Sequence, residues 1–199
     1  MGVTEKMSGL RYTYGDYVNW SEDERWELIN GIPYDMTPAP STEHQRISRK
    51  LALQFANYLV GKTCEVFYSP FDVRLPLANE KDEEINTVVQ PDLAIVCDRN
   101  KLDEKGCKGA PDLIIEIISP ATAKKDMQEK FLLYERSGVR EYWLAFPLDR
   151  VVDVYVLNKD NKYQRSGLYQ YYDKIKVEIF EDLEIDLGLV FTNDMEIRL

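Results

Sequence analysis

One carboxylate stands inside the most apolar run of the chain. Leu113 to Ile118 reads LIIEII, with Glu116 in its midst. The run is bounded by Pro111-Asp112 and Ser119-Pro120. It has the length of a strand, and an unbroken apolar run marks a strand covered on both faces. A carboxylate there is costly unless an ion, a cation or a water-filled face meets it. The chain must therefore fold so that this strand is shielded while Glu116 still finds a partner.

The tripeptide Pro-Asp-Leu occurs at Pro91 and again at Pro111, each time ahead of an apolar run. Take 88–97 and 111–118 as neighbouring antiparallel strands joined by a polar loop, with residue 98 facing residue 110. Asp92 then faces Glu116 directly. Directly opposed residues project from one face with Cβ atoms roughly 4.5–5.5 Å apart. A divalent ion with oxygens at roughly 2.0–2.6 Å could be shared between them. Asp112 and Glu116 also share a face, but four residues of strand separate them by roughly 13 Å. Asp112 is read instead as the residue at the strand entrance.

Ser119 suits an N-cap and Pro120 the first helical position. A helix is predicted from about 121 to 137, stopped by Gly138. Thr122, Asp126 and Lys130 recur at i, i+4, i+8 as a polar stripe beside Met127, Phe131 and Tyr134. Lys130 on such a helix can reach back to the two carboxylates. In the plainer reading Asp126 and Lys130 are an exposed pair of modest value. Two carboxylates, a divalent ion and a lysine suit phosphodiester hydrolysis. The ion activates water and neutralises the phosphate, and the lysine steadies developing charge.

The rest of the chain supplies the frame. Residues 1–20 read as an arm with a short helix. Asn30-Gly31 between WELI and IPYDM signals a type I′ hairpin. Glu27 in that hairpin offers a third carboxylate but is expected to face solvent. Ser41 or Thr42 caps a helix whose Ile47, Leu51, Phe55 and Leu59 form one apolar stripe, ended by Gly61. His44, the one histidine, lies near its start, where a surface or capping role is expected and an approach to the site is possible. CEVFYSPFDVRLPL reads as a single strand with an edge or bulge at Pro70. REYWLAF and VVDVYVL are two more strands, and 162–199 holds further short strands with a hairpin. No glycine-rich phosphate loop is present, which removes P-loop and Rossmann readings. The order of elements predicts a mixed α/β sheet flanked by helices, in one domain. Residues 1–40 form an arm and hairpin, 41–160 the core, and 161–199 extra strands.

Three cysteines, Cys64, Cys97 and Cys107, lie far apart beside a single histidine. That pattern argues against a disulfide framework and against a zinc site. No apolar run approaches a membrane span, and the start MGVTEK lacks a signal or myristoylation pattern, so a cytoplasmic protein is expected. The net charge of −10 counts against broad nucleic-acid binding through basic surface. It leaves room for a metal-neutralised acidic site.

Pro91-Asp92, Glu116 in an apolar strand, Ser119-Pro120 with Thr122, then Asp126, Lys130, Tyr134 and GVREYW together resemble the PD-(D/E)XK nuclease superfamily. The likeness is closest to its bacterial single-domain group with a restriction-endonuclease-like fold, and it runs from about Glu27 to the C-terminus. The resemblance implies a metal-dependent DNA endonuclease using Mg²⁺, with Mn²⁺ as a substitute, and Asp92 and Glu116 as metal ligands. The superfamily's lysine stands two residues after the glutamate, where this chain has Ile118. In this group it lies on the following helix, which gives Lys130. A homodimer acting on DNA is expected, since two symmetry-related sites cut two strands most simply. Two rivals are a binding or regulatory module that keeps the fold, and a hydrolase of small phosphoesters.

Overall fold

The computed structural model describes residues 10–21, 24–36 and 39–192. The N-terminal start and the last residues of the tail, read above from sequence, lie outside them.

The chain opens with a short helix α1 (Tyr14–Tyr17) and the hairpin β1 (Trp26–Ile29) and β2 (Ile32–Asp35). Asn30 and Gly31 both have positive φ, 51° and 77°, as a type I′ turn requires. Helix α2 (Thr42–Leu59) follows, with the Ser41 hydroxyl accepting the His44 backbone N–H at 3.2 Å. Then come β3 (Glu65–Tyr68), β4 (Val73–Arg74), β5 (Val88–Val89) and β6 (Leu93–Val96). The loop after β6 contains a small hairpin of β7 (Leu102–Asp103) and β8 (Gly106–Lys108). Strand β9 (Leu113–Ile117) leads through a helical segment into α3 (Phe131–Ser137). β10 (Glu141–Phe146), β11 (Val151–Leu157) and β12 (Tyr163–Gln170) come next. The hairpin of β13 (Lys174–Lys176) and β14 (Glu184–Asp186), then α4 (Leu187–Phe191), complete the described chain.

Two six-stranded sheets result. One has the order β2-β1-β5-β4-β8-β7, the other β12-β11-β10-β9-β6-β3. Strand β9 is central in the second sheet, between antiparallel β6 and parallel β10. Its odd-numbered residues Leu113, Ile115 and Ile117 pack with Ile47, Leu51 and Phe55 of α2 and with Trp143. Its even-numbered Ile114 packs on the other face with Leu133 and Tyr134 of α3 and with Val73 and Val89 of the first sheet. The period-2 alternation of a strand therefore turns Glu116 toward the second core.

Several predicted elements are divided. CEVFYSPFDVRLPL is two strands in two sheets, because the chain turns at Ser69-Pro70 between β3 and β4. The predicted strand 88–97 breaks in the same way at Gln90-Pro91-Asp92: β5 belongs to one sheet, β6 to the other. Proline cannot donate to a ladder, so each break falls where the chain leaves one sheet for the other. The Pro-Asp pair thus marks the crossing point between the two sheets. The helix after Ser119 is π-helical over Lys125–Lys130 before becoming α3. Cys64 and Cys97, expected to stay apart, are joined by a disulfide. Pairing of Glu65 with Val96 brings the two cysteines opposite one another across a separation of 33 residues. Cys107 is buried as a free thiol. No helix among the described residues is long and apolar enough to cross a membrane.

Candidate active site

The β6–β9 register pairs Leu93 with Ile115, Ala94 with Ile114 and Ile95 with Leu113. Asp92 directly precedes this ladder, and its side chain reaches β9 beside Glu116, whose carboxyl it helps to raise. The Asp92 carboxylate is fixed through one oxygen. Oδ2 accepts the Ile117 backbone N–H at 2.7 Å and lies 3.1 Å from His44 Nε2. Capping by Ser41 puts His44 in the first turn of α2, so the same turn that starts the helix aims the imidazole at Asp92. His44 is largely buried against the site rather than on the surface.

Glu116 is also held through one oxygen. Its Oε1 accepts from Lys130 Nζ and from the Tyr134 hydroxyl, each at 2.8 Å. Lys130 is 2% exposed and reaches further, to Glu27 Oε1 at 2.6 Å and Asp126 Oδ1 at 3.7 Å. Glu27, expected in solvent, is fully buried. Its second oxygen accepts from Lys125 Nζ at 2.7 Å, and its first also takes the Gln90 backbone N–H at 3.0 Å. The reading of Asp126 and Lys130 as an exposed pair is likewise overturned, because both are buried. Asp126 and Lys130 of the stripe face inward, Thr122 is half-buried, and Tyr134 continues the buried side instead of joining Met127, which is exposed.

The π-helical turn explains that alignment. In an α-helix every fourth residue advances by about 40° beyond a full turn, so residues i and i+8 drift apart by about 80°. The wider i→i+5 turn reduces this drift. Asp126, Lys130 and Tyr134 thereby remain on the face that meets Glu116. Tyr142 supports the turn by donating to the Asp126 carbonyl at 3.1 Å.

Counting formal charges, four carboxylates (Glu27, Asp92, Glu116, Asp126) meet two lysines (Lys125, Lys130). Burial raises the Glu116 carboxyl to about 8, and the attraction of Lys130 offsets only part of that. Burial raises the Asp126 carboxyl too, again against Lys130. For Glu27 burial is outweighed by Lys130 and then Lys125, which hold it below its ordinary value. Burial works against the Lys130 charge, but Glu116, Glu27 and Asp126 keep its ammonium well above the usual lysine range. The cluster thus has a surplus of acid that one more cation would relieve.

Among the described residues, no three His, Cys, Asp or Glu side chains converge into a metal cage. Asp92 and Glu116 nevertheless suit a hard divalent ion. The hydrogen bonds that orient them use Oδ2 and Oε1, leaving Oδ1 and Oε2 outside those bonds. Mg²⁺ is typically held by one or two carboxylates together with water and substrate phosphate. Asp112 is elsewhere, bracing the entrance of β9 by accepting the Cys97 N–H and pairing with Arg140.

Sequence reasoning missed Lys125 and the polar task of Tyr134. The periodicity at four-residue steps carried Tyr134's signal, since it continues the Thr122, Asp126, Lys130 series. Nothing local identified Lys125, whose partner lies 98 residues away.

Comparison with known proteins bears on the family and the fold. The chain resembles an uncharacterized protein, slr1290, of Synechocystis sp., with 27% identity over 186 residues, covering 92% of this chain and 90% of that one. Its fold matches the crystal structure of a protein from Anabaena variabilis described as "a putative nuclease belonging to DUF820". The TM-score is 0.70 at 19% identity, over 90% of this chain and 97% of that one. The mixed α/β architecture is therefore shared with that protein. Residues 14–188 match the family model described as "Uma2: Putative restriction endonuclease", and the chain belongs to that family.

Proposed function

We propose that this protein is a Mg²⁺-dependent DNA endonuclease, with Mn²⁺ as a working substitute, and that it acts as a homodimer. The observation that carries the reading is Asp92 anchored on the Ile117 N–H, next to Glu116, with the Lys130 ammonium 2.8 Å from Glu116. The family description and the nuclease-like fold support it.

Asp92 and Glu116 would hold the ion through the oxygens that their hydrogen bonds leave unused. Such an ion, when bound, would supply a water of lowered pKa and charge neutralisation at a phosphate. The protein's own groups do the rest. Ile117 N–H and His44 fix the plane of Asp92, and Tyr134 with Lys130 fixes Glu116. Lys130 stays cationic, so it can orient the attacking water and meet the negative charge that develops on the phosphate. Glu27, with Asp126, holds that ammonium beside Glu116 and acts as a positioning residue.

The test is cleavage of supercoiled, linear, single-stranded and branched DNA with Mg²⁺, with Mn²⁺ and with chelator. Cutting is expected only with metal, and Asp92→Asn or Glu116→Gln should each reduce it to background. Cutting that persists in both variants would remove this mechanism. A second reading, a binding module that keeps the fold without turnover, draws on the net charge of −10 and on the burial of Lys130 among three carboxylates. Absence of cutting on every substrate by the folded protein would favour it.

A further inference from the structure

Gln90 belongs to two places at once. Its backbone N–H joins the carboxylate cluster through Glu27, while the residue also lines a cavity of about 600 Å³. That volume is in the range of small-molecule pockets. Part of the lining is aromatic: Tyr17 and Trp20, with centroids 5.4 Å apart, and the buried Trp26, edge-on to Trp20 at 5.9 Å. Another part is polar and fixed. Gln90 Nε2 donates to Asp72 Oδ1 at 2.8 Å, Tyr17 donates to the same oxygen at 3.1 Å, and Arg25 Nη2 donates to Gln90 Oε1 at 2.8 Å. None of these bonds uses Asp72 Oδ2 or Arg25 Nη1. An acceptor and a donor thus remain in a cavity that Tyr17 and Trp20 also line.

That combination fits a flat heteroaromatic ring with a polar rim, which is the chemistry of a nucleobase outside a duplex stack. Position agrees with chemistry. Gln90 and Asp92 are two residues apart, so at most about 7 Å of chain separates them. A base in the pocket and a phosphate at Asp92 would belong to the same or adjacent nucleotides. Charge agrees too. Among the described residues the lining sets Arg25 and Lys105 against Glu24 and Asp72. It is no phosphate clamp, and stacking is the form of affinity open to a chain of net charge −10.

We propose that this cavity takes one unpaired nucleobase beside the scissile phosphate, so that the preferred substrate is single-stranded, flapped or bulged DNA. The inference rests on the nuclease reading for the phosphate, but the pocket can be tested without it. Two of the three tryptophans line the cavity, and the third, Trp143, is buried with its indole N–H bonded to Glu141. The full chain in chelator would be titrated with deoxynucleoside monophosphates, a short single strand, the matching blunt duplex and deoxyribose 5-phosphate, reading tryptophan fluorescence. Saturable quenching is expected from the nucleotides and the single strand, and not from the duplex or the sugar phosphate. Trp20→Ala should weaken binding by about tenfold or more. Trp20→Phe should keep the affinity and lose part of the signal, which separates stacking from misfolding. Equal response to sugar phosphate, no response, or undiminished binding by a folded Trp20→Ala would overturn the pocket. With Mg²⁺ present the two readings separate: cleavage that ignores base pairing and Trp20 sinks the pocket alone, and base binding without any cleavage sinks the nuclease alone.

Discussion

Lys130 carries more of the site than any other single residue. It is buried beside Glu27, Glu116 and Asp126, and truncating it leaves those acids without their shared cation. Breaking a buried pair from one side typically costs ~3–5 kcal/mol. Lys130→Met is therefore expected to lose that much stability in urea unfolding and to lower cleavage by about 10²–10³-fold. Lys162→Ala, which removes an exposed partner of Glu135, should cost less than about 1 kcal/mol. Glu141 offers a pH test away from the site. Burial raises its carboxyl to about 7 from an ordinary 4.5, despite hydrogen bonds from Trp143 and the Ile179 and Glu178 backbone. A carboxyl raised on folding favours the folded state while protonated, and that advantage fades as pH climbs from about 4.5 through about 7. Glu141→Gln holds no proton to lose. Relative to wild type it should gain up to ~3 kcal/mol between pH 5 and pH 8, as read by urea midpoints at the two values.

Two short elements place the chemistry. The first turn of α2 aims His44, and it depends on the Ser41 cap. Ser41→Ala should cost about 1 kcal/mol, seen as a lowered thermal midpoint. The β7–β8 hairpin closes tightly on the first sheet. Gly106 has φ +121°, and a Cβ there would lie 2.2 Å from the Asp72 carbonyl oxygen. Gly106→Ala must either strain that backbone or displace Asp72, at a cost of ~1–3 kcal/mol or more in chemical denaturation. The cysteines and the two chain breaks belong to this scale as well. Strand residues 64–68 and 93–97 read as ordinary apolar segments, and only their pairing joins Cys64 to Cys97.

At the scale of the molecule, charge and symmetry matter most. A net charge of −10 opposes approach to DNA over most of the surface, so little binding by phosphate contacts alone is expected. Metal at the acidic cluster would reverse that locally. If two copies act together, sedimentation should give twice the monomer mass, and supercoiled plasmid should become linear without accumulating nicked circles. A monomer leaving nicked circles would argue against the paired arrangement.

The sequence by itself determined the elements with strong local signals. The Asn30-Gly31 hairpin, the capped helix α2 and its stripe, strand β9, and the β10–β11 hairpin follow from turn chemistry and periodicity. From sequence alone the pairing of the strands that hold Ala94 and Ile114 is only an assumption, because a strand's period of two allows a one-residue slip that would turn every side chain to the other face. Tertiary structure alone decided where Glu27, Lys125 and His44 end up. Each looks like a surface residue in its own segment, since a buried charge is stable only when distant partners arrive, and those partners are 48–103 residues away in the chain: His44 to Asp92, Glu27 to Lys125 and Lys130. Tertiary structure likewise split the Pro-Asp strand between two sheets. Local sequence marks a break at a proline, but which sheet each half joins depends on pairings that only the assembled fold supplies.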